Sequence, residues 1–97
     1  MDLEQLKSLS ELKYRQSTQA LALILRRESE LRTELSRLRQ LVLETHAQPA
    51  EDAHVRAIGA DIIWLKWVSQ AQRKLNIELA QVLARKEGHM AANRRAL

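Results

Sequence analysis

The chain is 97 residues long, carries a net charge of +4 from 16 basic and 12 acidic side chains, and holds no cysteine. Disulfides and thiolate metal sites are thereby excluded, and one small domain is the upper bound on its organisation. Leu, Ala, Glu, Gln, Lys and Arg dominate, against two glycines, one proline and an aromatic share of 3%. These residues lose little rotamer freedom in a helix, so the composition is that of long helices or a coiled coil.

The first segment, "MDLEQLKSLSEL", is mixed in charge and amphipathic, unlike a signal peptide with its basic start and apolar middle. The longest unbroken apolar run, Ala20 to Leu25, falls far short of the roughly 20 residues that span a bilayer. No membrane span and a cytoplasmic location are expected.

A first helix is expected over about residues 3–46. Its seam reads Ser17, Leu21, Ile24, Glu28, Leu31, Leu35, Leu38, Val42, alternating steps of four and three, the spacing of a left-handed coiled coil. Upstream, Leu3, Leu6, Leu9 and Leu12 step by three, so the apolar stripe drifts around the helix there.

The one proline, Pro49, lies in "THAQPAED" near the middle of the chain. It lacks the amide donor that would continue a helix, but it suits the first turn of a new one. Glu51 and Asp52 follow at once, placing negative charge at the positive end of a helix dipole. The division expected is one helical hairpin over 1–97: helix about 3–46, turn about 47–50, helix about 50–95. Two helices of about 45 residues joined by so short a turn fold back on one another. The fold class expected is all-α, a long antiparallel two-helix coiled-coil hairpin, with a route to a four-helix bundle by dimerisation.

In the second helix a matching seam reads Val55, Ile58, Ile62, Leu65, Ser69, Gln72, Asn76, Leu79, Leu83, Lys86, Met90. Folding back near Pro49 pairs residues whose numbers sum to about 100. Val42 then meets Ile58, Leu38 meets Ile62, Leu35 meets Leu65 and Leu21 meets Leu79. The hairpin core expected is Leu21, Ile24, Leu31, Leu35, Leu38, Val42, Val55, Ile58, Ile62, Leu65, Leu79 and Leu83. Between its halves Glu28 faces Gln72, Leu31 faces Ser69 and Ile24 faces Asn76, a polar stretch that fixes register at some cost in stability.

A second apolar stripe runs Ala57, Ala60, Trp64, Trp67, Ala71, Leu75, Val82. At 100° per residue it lies roughly 130–150° from the seam, with Val68 between the two. A bare hairpin buries one stripe per helix, so a second one belongs to another neighbour. Tryptophans among alanines suit a partner surface, because aromatics supply large area at little entropic cost and alanines let a helix approach closely. Homodimerisation through this stripe, a different protein partner, and rings lying along Lys or Arg stems are the three readings.

Chemistry finds little purchase. His46, His54, Glu51 and Asp52 cluster near the turn, where helix-start charge explains the acids better than a metal site does. His89 has no ligand partner in sequence. Carboxylate pairs such as Glu28 with Glu30 lie at ordinary helix positions, with no concave pocket to shift their titration. There is no glycine-rich phosphate loop and no nucleophile elbow. No enzyme, no cofactor, no metal and no small-molecule substrate are expected. Lys66, Arg73, Lys74, Arg85, Lys86, Arg94 and Arg95 make the second helix basic. A dedicated nucleic-acid binder shows a denser stripe, so nucleic acid is the least favoured partner.

The segments "LRTELSRLRQLVLE" and "RAIGADIIWLKWVSQAQRKLNIELAQVLARKE", with tryptophans early in the returning helix and a basic tail after them, resemble the FliJ/YscO-like family of flagellar and type III secretion export. The second segment, which looks most like that group, covers about a third of the chain. It implies a cytosolic hairpin stalk that sits in the export ATPase ring, contacts the export gate and escorts chaperones. The chain is shorter than is usual in that family, and no residue role is carried over. The alternative is a self-associating coiled-coil scaffold or adaptor unrelated to secretion.

Overall fold

A computed structural model describes residues 2–47 and 54–96, with side chains described for 2–45 and 61–95. Two helices make up the fold, α1 (Leu3–Ala47) and α2 (His54–Ala96). They pack as an antiparallel hairpin 80 Å long and 16 Å across in both other directions. Pro49, Glu51 and Asp52, the residues expected to break and restart the helix, lie outside the described residues.

The start of α1 is built by a reciprocal cap. Asp2 Oδ1 accepts from the Gln5 amide at 2.8 Å, and Gln5 Oε1 accepts from the Asp2 amide at 3.2 Å. Two amides that the helix leaves without partners are satisfied together. Further along α1, Thr18, Thr33 and Thr45 turn their hydroxyls back onto the carbonyls of Tyr14, Ser29 and Leu41. That keeps these β-branched polar residues compatible with a helix interior.

Among the described residues, Leu31, Leu35, Val68, Leu79 and Val82 form the buried core. Ile24, Leu75 and Leu83 pack half-buried against it. On α1 the expected seam is the observed one, since Leu31 and Leu35 are buried and Leu21, Ile24, Leu38 and Val42 half-buried. On α2 the buried line is a different one. Trp64, Val68, Ala71, Gln72, Leu75, Glu78, Leu79, Val82, Leu83, Lys86, His89 and Ala91 are the described residues turned from solvent. Ile62, expected in the core, is 62% exposed, and Leu65 is 42% exposed. Val82, expected on the outward stripe, is 2% exposed and central to the core. The line that α1 covers therefore runs between the two stripes read from sequence, centred on Val68. Val55 and Ile58 lie among the residues whose side chains are not described.

The register also differs from a symmetrical fold-back about Pro49. Arg27 reaches Glu78, where that rule pairs it near Arg73. Ser17 reaches His89 and Asn93, where it expects Leu83. Glu28 reaches Lys86 instead of Gln72. The helices are thus slid past one another by about two turns. The overall length agrees: α1 has 45 residues, about 68 Å of helix, yet the hairpin measures 80 Å. One consequence is an overhang. The described residues of α1 before Ser17 are all exposed, including Leu3 at 85%.

Candidate functional site

Sliding α2 leaves an apolar groove on one face of the hairpin. Leu38 and Leu41 line it from α1, and Trp67, Ala71 and Leu75 line it from α2. Its volume is about 570 Å³, and it is open to solvent along its length. Trp67 is the dominant surface there and is 56% exposed, with Leu41 at 40%. The position follows from helical periodicity. Trp67 lies roughly 100° from Val68, so when Val68 faces α1 the indole projects sideways over the cleft between the helices.

The stripe expected to bind a partner divides accordingly. Trp67 and Ala71 remain on the open face, and Trp64 is half-buried beside them. Leu75 lines the groove while packing on the core, and Val82 belongs wholly to the core. The side chains of Ala57 and Ala60 lie outside those described. Sequence reasoning assigned Leu38 to the seam alone and missed Leu41 as a surface residue. The stripe had been sought on α2 only, whereas the groove takes one wall from each helix.

Charged residues of both signs edge the groove. Arg27 donates to Glu78 Oε1 from Nε at 3.0 Å and from Nη2 at 2.6 Å, and to Glu30 at 3.1 Å. Glu78 first and Glu30 second raise the guanidinium above its ordinary value, because each stabilises the protonated form. Glu34, Arg37 and Lys74 complete the edge.

On the opposite face Val42, Leu43, Leu65 and Val68 line a smaller groove of about 350 Å³. It carries no aromatic side chain. Below it Glu28, whose side chain is 13% exposed, accepts from Lys86 Nζ at 2.9 Å and from Arg32 Nε at 2.9 Å. Lys86 first, then Arg32, hold its carboxyl below the usual carboxylate value.

A third polar layer joins Ser17, His89 and Asn93. Ser17 Oγ donates to Asn93 Oδ1 at 3.1 Å and lies 3.2 Å from His89 Nε2. With the one hydroxyl proton given to Asn93, the contact to His89 is met by the tautomer that carries its proton on Nε2. The layer is a register device between helices. His89, without a partner in sequence, thereby gains one across the hairpin.

The basic residues of α2 divide: Lys66, Arg73, Lys74, Arg85 and Arg95 fall within an arc of about 120° on the helical wheel, and Lys86 and Arg94 lie outside it. Lys86 is engaged by Glu28 and Arg94 by Glu87. Lys74 edges the Trp67 groove, and Lys66 and Arg73 lie about 80° and 100° from Lys74 on the helical wheel. Among the described residues no group of three or more His, Cys, Asp or Glu is placed to hold a metal ion. The side chains of His46 and His54 are outside that description. No helix among the described residues is long and apolar enough to cross a membrane.

No protein-family model, curated protein or solved structure matches the chain.

Proposed function

We propose that this chain is a non-catalytic coiled-coil interaction protein, a cytosolic rod that engages a larger protein assembly. The observation that carries the reading is the exposure of Trp67 at 56% beside Leu41 at 40%, on a hairpin whose described core has five residues. Contiguous exposed apolar surface with an aromatic centre and a charged edge has the make-up of a protein contact. The grooves are open to solvent along the rod, which suits a surface that binds a partner along its length.

The resemblance of "RAIGADIIWLKWVSQAQRKLNIELAQVLARKE" to FliJ/YscO-like proteins supplies the assembly: a flagellar or type III export apparatus, with the ATPase or the export gate as the surface engaged. The test is co-sedimentation of the purified chain with an assembled export ATPase ring, beside a Trp67→Ala variant. Saturable binding that Trp67→Ala weakens tenfold or more supports the reading. Absence of binding to ring and gate proteins alike removes the export assignment. A self-associating scaffold unconnected with export is the second reading, and the large surface left by a lone hairpin favours it.

A further inference from the structure

We infer that the occupant of the Trp67 groove is the same groove on a second copy of the chain, so that two hairpins close into a four-helix bundle. The inference rests on the reading of the chain as an interaction hairpin and names what covers its open face.

Area is the first argument. The hairpin exposes 8380 Å² for 11.2 kDa. A compact folded monomer of that mass exposes about 5,700 Å². Obligate homodimers bury about 2,000–5,000 Å² summed over both copies, roughly 1,000–2,500 Å² from each, and the excess of about 2,700 Å² per chain is enough to supply that. A small transient contact would leave most of it wet.

Shape is the second argument. A two-fold interface must be complementary to itself. Trp67 is a large knob, and Ala71, one turn later on the same face, leaves a depression. An antiparallel crossing of two α2 helices, centred between these residues, sets each indole on the partner copy's alanine. Leu38 and Leu41 then form the floor from α1.

Charge is the third. An edge of a single sign would repel its own copy, whereas Glu34 and Glu78 alternate here with Arg27, Arg37 and Lys74. The groove on the other face is smaller and has no aromatic knob, so it is the weaker candidate.

The test is sedimentation equilibrium of the full chain beside Trp67→Glu and Leu41→Glu, with circular dichroism on all three. Neither substituted side chain belongs to the buried core. The expected result is a wild type of twice 11.2 kDa and two helical variants at half the wild-type mass. If either variant loses its helical signal, acrylamide quenching of Trp67 in a Trp64→Phe protein decides. Quenching several-fold weaker than that of a free indole supports burial of Trp67 between copies. A helical wild type at the single-chain mass, a dimer whose mass neither substitution changes, or full quenching of Trp67 overturns the inference. The first of these leaves the interaction reading intact, with a different protein over the groove; loss of binding to every partner with the dimer retained would instead remove the export assignment alone.

Discussion

Glu28 on α1 is joined to Lys86 on α2 at 2.9 Å, and its second oxygen is held by Arg32 at the same distance. The carboxylate thus clamps both helices at one level of the rod. Lys86, and after it Arg32, depress its titration below the ordinary value of 4.5. The sign follows from linkage: a carboxyl with a lowered value in the fold stabilises the fold above its unfolded value and loses that contribution as pH falls. The thermal midpoint of the wild type is therefore expected to decline below pH 4.5, through the lower value that Glu28 takes in the hairpin. Glu28→Gln is expected to lower the midpoint at pH 7 and to flatten that part of the acid decline. Melts at half-unit pH steps on both proteins check this.

Arg27 and Glu78 report the register. Both are more than a third exposed, so solvent screens the pair and its coupling is expected to be small but favourable. A double-mutant cycle on Arg27→Ala and Glu78→Ala should recover that coupling. A cycle pairing Arg27→Ala with Arg73→Ala should give none, since Arg73 is the neighbour that a symmetrical fold-back would supply. Residues in contact couple, and separated ones add.

The overhang of α1 is expected to be visible in hydrogen exchange. Leu3, Leu6, Leu9 and Leu12 are 85%, 48%, 42% and 51% exposed, and no described residue of α2 covers them. A helix without tertiary packing protects its amides poorly. Amides from Leu3 to Leu12 should exchange at least 100-fold faster than those from Ile24 to Leu38, by the order-of-magnitude span of local opening energies. Mass spectrometry on peptic fragments measures this directly.

How much of this was legible in the sequence differs between the helices. On α1 the apolar residues Leu21, Ile24, Leu31, Leu35, Leu38 and Val42 keep strict four-three spacing amid charges, and that face is the one that packs. On α2 the run from Ile62 to Val68 is apolar on nearly every side, so periodicity admits several lines. A heptad template extended from Ile62 chose a line rotated away from Val68. Packing was settled instead by the few positions where both neighbours were available, Leu79 and Val82 against Leu31 and Leu35. A fold-back symmetrical about Pro49 does not give the observed register. A signal for the slide was present: Glu28 is the one acid on the α1 seam and Lys86 the one cation on the α2 seam as read. Aligning those two would have moved the helices in the observed direction. The Trp67 face was legible as a stripe on α2. Its second wall, Leu38 and Leu41, needed the register and so was not.

The placement of α2 is the claim on which the groove, the register and the dimer all depend, and one pair of substitutions tests it. Val82→Ala removes two buried methyl groups from a residue 2% exposed and should cost about 2 kcal/mol, or on the order of 10 °C in the thermal midpoint. Ile62→Ala trims a side chain 62% exposed and should stay within about 0.5 kcal/mol of wild type. Melts of the two variants side by side are expected to show that order. The reverse order, with Ile62→Ala the costly change and Val82→Ala neutral, would return the seam to Ile62 and Leu65 and contradict the account.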